Sequence, residues 1–259
     1  MIKLIASDLD GTILLQNAQS VDNSLFKTIH KISEKGIIFA PASGRQYNSL
    51  KMLFEPIEKD LMYIAENGAL VMYKDEVLFK SPMNRKLAME IIEDVYEYCN
   101  CEVLVSGLNT AYIKPKAKEY LHRMTSMVKY KTSIVDNFDN IQEDILKVSV
   151  CDISGIKNSR EYFTKKWSDK VLTAVSGELY LDFTANGVNK GTAIKNVQEK
   201  LGISPDECMA FGDNYNDIEM LDNVGHSYAM ERAVEDIKKH AKYITRSVEM
   251  TLKEKFDIE

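Results

Sequence analysis

Short apolar runs alternate along this chain with stretches whose apolar residues recur every three to four positions. Residues 2–7 (I-K-L-I-A-S) form such a run, stopped by acidic residues and a glycine, and predict a buried strand. Residues 21–35 carry Leu25, Ile29 and Ile32 at helical spacing and end at Gly36. Residues 37–40 predict a second strand, followed by Pro41 and a polar turn. Residues 45–54 predict a helix and 63–65 a third strand. Strands alternating with helices build parallel βαβ units, and so predict an α/β fold with a Rossmann-like, doubly wound parallel sheet.

Beyond Ser81-Pro82 the pattern changes. Leu87, Ile91, Ile92 and Val95 make a helix face; residues 102–106 and 111–114 flank a Gly-Leu-Asn turn as a hairpin would. A helix over 119–128, a strand over 146–151, a helix near 159–167 and strands near 171–175 and 178–183 follow. Helix-strand-strand repeated in this way predicts a separate α+β unit, an antiparallel sheet with helices on one face. From Asn189 the first pattern resumes: helix 191–201, strand 208–211, helix 217–222, then strand and helix. The expected organisation is a core formed by residues 1–82 and 185–259, interrupted by an inserted α+β domain over 83–184.

Composition narrows the classes. The 259 residues include 33 basic and 39 acidic side chains, a formal charge of −6, with 45% hydrophobic and 28% charged residues. That is a globular average, able to bury a core, and it lacks the basic footprint of a general nucleic-acid binder. No apolar stretch approaches the ~18 residues of a membrane span, and the N-terminal run is too short for a secretory signal. Cys99, Cys101, Cys151 and Cys208 form no C-x-x-C pair, which predicts reduced thiols and a cytoplasmic protein. Residues 114–131 are locally basic (Lys114, Lys116, Lys118, Arg123, Lys129, Lys131), with Tyr120, Leu121, Met124, Met127 and Val128 as the apolar stripe of the helix. The basic face is either solvated or a means of attracting an anionic substrate.

Four segments could carry chemistry. Asp8-Leu9-Asp10-Gly11-Thr12 follows the first strand, at the carboxyl end where open α/β sheets bind ligands. Clustered carboxylates there repel one another unless a cation sits among them, and a hard divalent ion answers that need. Gly212-Asp213-Asn214-Tyr215-Asn216-Asp217 follows another short strand and offers more oxygen ligands. Ala42-Ser43-Gly44-Arg45 could present a hydroxyl and backbone N–H groups to a phosphate, and Asn189-Lys190-Gly191 opens a helix. Taken singly, each is also compatible with an ordinary helix cap or a solvated loop. Their joint order is more specific.

That order, D-x-D-x-T, Ser, Lys and an acidic G-D-x-x-x-D, resembles the haloacid-dehalogenase-like hydrolase superfamily over essentially the whole chain. The closer resemblance is to its Cof-type phosphatases with a large α/β cap: Glu66-Asn67-Gly68-Ala69 is similar to their x-N-G-A loop, Asn189-Lys190-Gly191 to their K-G, and residues 212–217 to their G-D-x-x-N-D. Two segments depart from the group. Where A-M-G-N-A is common, this chain has Ala229-Met230-Glu231-Arg232-Ala233, and a C-terminal D-G-V is replaced by Arg246-Ser247-Val248 after Thr245.

The resemblance implies an Mg²⁺-dependent phosphatase of small phosphorylated metabolites acting through an aspartyl phosphate. Asp8 would be the nucleophile; a carboxylate, with a reference pKa of ~3.9, is ionised at neutral pH without a base. Asp10 would be the general acid and base, which calls for neighbouring acids and partial burial to raise its pKa. Mg²⁺ would be held by Asp8, Asp10 through its backbone carbonyl, and Asp213, with Asp217 ordering metal-bound water or Lys190. Ser43, the N–H groups of Leu9 and Gly44, and Lys190 would take up phosphoryl charge, while Asn216 would hold Lys190 or a phosphate oxygen. An acid at Asp10 argues against dehalogenases, and the lack of membrane helices argues against ion pumps. A sugar phosphomutase or a non-catalytic phospholigand sensor are the other readings, and no protein partner is implied.

Overall fold

The computed structural model describes every residue except 16, 17, 99, 128, 129 and 259, and the side chain of Met127. Cys99, Val128 and Lys129 of the sequence reading therefore lie outside the described residues. The chain divides into two compact units, Met1–Phe79 with Asn189–Glu259, and Lys80–Val188.

The first unit begins with β1 (Leu4–Asp8), buried along its whole length, and α1 (Asn23–Glu34). The Asp22 side chain accepts the Ser24 N–H to start α1, which turns Leu25, Phe26, Ile29 and Ile32 inward. Then come β2 (Ile38–Ala42), α2 (Tyr47–Leu53), β3 (Met62–Ala65), β4 (Leu70–Tyr73) and β5 (Glu76–Lys80). The second unit contains α3 (Arg85–Glu97), β6 (Cys101–Ser106), β7 (Ala111–Ile113), α4 (Lys118–His122), β8 (Thr132–Ile134), β9 (Lys147–Asp152), α5 (Arg160–Trp167), β10 (Leu172–Ser176) and β11 (Tyr180–Thr184). The chain returns to the first unit through α6 (Lys190–Leu201), β12 (Cys208–Gly212), α7 (Ile218–Asp222), β13 (His226–Met230), α8 (Glu235–Lys238), β14 (Tyr243–Thr245) and α9 (Val248–Phe256).

An eight-stranded sheet in the order β14-β13-β12-β1-β2-β3-β4-β5 organises the first unit. From β14 to β3 the neighbours run parallel, as the βαβ pattern predicts. β4 joins antiparallel to β3, so the sheet is mixed rather than wholly parallel. Leu4, Ala6, Ala40, Ile64 and Ala210 pack with Ala193, Ile194 and Val197 of α6 and with Met220 and Leu221 of α7.

In the second unit the order is β10-β11-β9-β6-β7-β8. Two expectations are corrected here. The sheet is not purely antiparallel, because β8 pairs parallel with β7. Helices also lie on both faces. Val103, Val105, Val148 and Val150 face Ile91 and Ile92 of α3 and Phe163 of α5, whereas Leu104, Ile113 and Cys151, on the opposite face by strand alternation, pack with Tyr120 and Met124. The helix expected over 119–128 is α4 followed by a π-helical turn, Arg123–Met127. The basic stretch is partly structural: Lys116 Nζ donates to the carbonyls of Tyr96 (2.9 Å) and Tyr98 (3.1 Å), and Arg123 lies over the Tyr180 ring.

Cys101, Cys151 and Cys208 are buried free thiols. No helix among the described residues is long and apolar enough to cross a membrane.

At the amino edge of the first sheet, Lys3 ties β1 to the turn before β12. Its N–H donates to the Glu207 carbonyl at 2.8 Å and its ammonium meets the Glu207 carboxylate at 2.7 Å. The Lys3 hydrogen bond, then the Ser204 N–H, hold the Glu207 carboxyl at about 2, below its ordinary 4.5. A value depressed by folding gives stability that is complete above the unfolded value and lost as pH falls through the folded one. Glu207→Gln should therefore lower Tm at pH 7, with the gap to wild type closing as pH falls from 4.5 towards about 2. A pH-independent gap in a thermal melt series would contradict this.

Candidate active site

Strand register brings the chemistry to one edge. Asp8, the last residue of β1, stands level with Ala42, the last of β2. On the other side Ser7 is level with Phe211, so β12 also ends beside Asp8. The loops carrying Asp10, Ser43 and Asp213 thus all leave the carboxyl ends of three adjacent parallel strands, at the point from which the connections diverge.

At the centre is Lys190. Its side chain is fully buried, and its ammonium donates to Asp8 Oδ1 and to Asp217 Oδ1, the latter at 2.7 Å. The box formed by the Asn189 and Thr192 side chains starts α6 and so fixes where this lysine enters. Asp217 is fixed in turn, since its Oδ2 accepts the N–H groups of Asp213 and Asn214, each at 3.0 Å. Burial opposes the charge on Lys190, but Asp217 and Asp8 overcome it and hold the ammonium above its ordinary value. The Asp8 carboxyl sits well above its own ordinary value, raised by burial first and by Asp217 next, with Lys190 working against both.

Asp213 completes the group. Oxygens of Asp8, Asp213 and Asp217 lie within 4.8 Å of one another. Thr12 Oγ1 donates to Asp213 Oδ1 at 2.8 Å. Gly11 makes the approach possible: its φ is +97°, and a β-carbon there would fall on the Asp213 carboxylate. Three formally anionic oxygen donors around one ammonium leave a surplus of two negative charges, and oxygen donors with that surplus fit a hard divalent cation.

The Ser43 side of the site rests on a strained loop. Glu66, Asn67 and Gly68 have φ of 52°, 56° and 98°. The Glu66 N–H donates to the Arg45 carbonyl (3.1 Å) and the Asn67 N–H to that of Ser43 (3.0 Å). Gly68 lies so close to the Asn189 carbonyl that a side chain there would displace it. One turn therefore locates both the Ser43-Gly44-Arg45 segment and the start of α6. Ser43 is buried, and its Oγ accepts the Arg45 N–H at 3.2 Å. The Arg45 guanidinium grips both oxygens of Asp10, at 3.0 and 2.5 Å.

A haloacid dehalogenase-like hydrolase model matches residues 5–251. A 5-amino-6-(5-phospho-D-ribitylamino)uracil phosphatase of Escherichia coli is 30% identical over 93% of this chain and 90% of its own length. A Bacillus subtilis phosphatase of the same description is 26% identical over 94% of this chain and 90% of its own length. A crystal structure of a Eubacterium rectale protein superposes with a TM-score of 0.88 at 30% identity, covering 98% of this chain and 99% of the other. The chain belongs to the haloacid dehalogenase-like hydrolase family. It is a hydrolase of the family's Cof-type phosphatase group.

Within this hydrolase the structure gathers Asp8, Lys190, Asp213 and Asp217 into one contact group. Ser43 and Gly44 lie at the neighbouring strand end, Ser43 buried and Gly44 half-buried. Leu9 is buried, and its carbonyl accepts the N–H groups of Thr12, Ile13 and Leu14 to close the turn after Asp8. Asn216 is half-buried, and the Lys190 ammonium is held by Asp8 and Asp217 instead. The carboxylate of Asp10 stands outside the acidic group, and its expected surroundings are corrected. Its side chain is 55% exposed and its neighbour is a guanidinium, not further acids. Three contributors escaped the sequence reading: Thr12 and Arg45, which lay inside the quoted motifs, and Arg232, which lay in a departure from the family pattern.

Lys190 is the fragile point of this hydrolase. Lys190→Met leaves Asp8 and Asp217 buried without their cation, and should cost about 3 kcal/mol of stability at neutral pH, as removal of one buried ionic partner does. Urea unfolding would measure it; a loss within ~0.5 kcal/mol would mean that the ammonium does not hold the two carboxylates together.

Proposed function

We propose that this chain hydrolyses phosphomonoesters of small metabolites through an aspartyl phosphate, with Asp8 as nucleophile. The observation that carries the reading is the buried Asp8 carboxylate at a strand end, oriented by Lys190, with Asp213 and Asp217 within reach of the same point. An Asp8 oxygen attacks phosphorus, the bond from phosphorus to the leaving oxygen breaks, and Asp10 gives that oxygen its proton. Asp10 then takes a proton from water, whose oxygen attacks phosphorus. The acyl phosphate bond breaks, returning Asp8 and releasing inorganic phosphate. Ser43, the N–H groups of Leu9 and Gly44, and Lys190 receive the charge on the phosphoryl oxygens, with Asn216 at the rim.

Asp8, Asp213 and the Asp10 carbonyl would hold Mg²⁺, with Asp217 behind them. When bound, the ion supplies positive charge that lets the anionic nucleophile and the phosphate approach. Arg45 is the positioning residue for Asp10: its two-point grip aims an otherwise exposed carboxylate. The inserted unit, residues 83–184 in the sequence reading, is the proposed cap that selects the leaving group. The Escherichia coli and Bacillus subtilis relatives make a phosphorylated ribitylamino-pyrimidine a natural first substrate to test, beside phosphosugars, pyridoxal phosphate and flavin mononucleotide.

With Mg²⁺ present, Asp8→Asn should abolish p-nitrophenyl phosphate hydrolysis while leaving the circular dichroism spectrum of a folded chain, and EDTA should silence the wild type. Undiminished turnover by the variant would refute the mechanism. Conversion of a hexose 1-phosphate to its 6-phosphate, without free phosphate, would point to a mutase instead. Arg45→Lys keeps a charge but loses the fork, and kcat should fall about tenfold or more with Tm unchanged. An unchanged kcat would show that Asp10 needs no such support.

A further inference from the structure

The segment Glu231-Arg232, where this chain departs from the family pattern, follows β13 and reaches the candidate site. Arg232 Nη2 donates to the carbonyl of Gly11, the residue on which the Asp213 carboxylate rests. The backbone carrying Arg232 is tied on its other side, where the Glu231 N–H donates to the Thr245 carbonyl at 2.7 Å. A guanidinium is therefore anchored beside the outer carboxylate of the acidic group. No step of the hydrolysis described above uses it.

We propose that Arg232 is a charge-setting residue of this site, weakening its hold on a divalent cation while strengthening its hold on a phosphate anion. The argument is Coulombic. Asp8, Asp213 and Asp217 against Lys190 leave a formal surplus of two negative charges, which draws a cation and repels a phosphate dianion. A fixed positive charge at the rim reduces both tendencies together. Because Arg232 is exposed, solvent screens it and the effect is moderate. A residue that served only to brace the Gly11 turn would act differently. Its loss would loosen the site and weaken cation and anion alike.

The inference rests on the reading of the acidic group as a cation site, and the experiment separates the two. Titration calorimetry with Mg²⁺ alone, on wild type and Arg232→Asn, reads the cation. Inhibition of p-nitrophenyl phosphate hydrolysis by inorganic phosphate, at saturating Mg²⁺, reads the anion. Arg232→Asn should bind Mg²⁺ roughly fivefold tighter and phosphate roughly fivefold more weakly, with Arg232→Lys close to wild type in both, as expected of a screened single charge. Shifts of the same sign in Arg232→Asn, or no shift in either, would overturn the proposal. Failure of the wild type itself to bind Mg²⁺ would overturn the cation-site reading, and this inference with it.

Discussion

The ammonium of Lys190, lodged without solvent between Asp8 and Asp217, is the constraint from which the rest of the site follows. A buried charge is tolerated only when paired and fully hydrogen-bonded, so the lysine and both carboxylates must be placed to within the length of a hydrogen bond. The fold meets that demand with devices that otherwise look unrelated. Parallel register sets the end of β1 beside β12, the Asn189–Thr192 box aims the start of α6, and the N–H groups of Asp213 and Asn214 hold Asp217 from behind. The left-handed turn at 66–68 is explained by the same demand, because it joins the Ser43 loop to the first residue of the helix that carries the lysine.

The same ion triad explains why the site suits a cation rather than merely tolerating one. Lys190 offsets one carboxylate and leaves the region anionic, with the Asp8 carboxyl displaced upward by burial and by Asp217. A site built only for structural neutrality would stop at one acid for one base. Here a third acid, Asp213, is brought in over a glycine and steadied by Thr12, adding negative charge where it is electrostatically costly. Such an arrangement is stable when something positive completes it.

Most of the first unit could be read from the sequence because its strands are short, apolar and separated by helices of clear periodicity. β4, β5, β8 and one of the two strand-helix pairs that follow α7 were not anticipated. β5 is largely exposed or half-buried and β8 has three residues, so neither presents the alternation or apolar run that marks a strand. The helix α4 was placed correctly in outline, but its side of the sheet was not, since periodicity reports which face of a helix is apolar and not which layer receives it. In the site, motif order located Asp8, Ser43, Lys190 and Asp213. It could not supply the surroundings of Asp10, because Arg45 lies 35 residues away on another loop and only strand register brings the two together.

The two departures from the family pattern prove to be one structural event. Glu231 and Arg246 face each other at the ends of adjacent parallel strands, with Arg246 Nε bonded to both Glu231 oxygens at 3.0 Å. Each introduces a charge that the other cancels. With Arg246 79% and Glu231 56% exposed, the pair contributes little energy by itself. Arg232 follows Glu231 in the turn after β13, and its guanidinium extends to the Gly11 carbonyl. Substitutions that look like scattered losses of a motif thus assemble into a charged rim on the Asp213 side of the site, opposite the Ser43 loop.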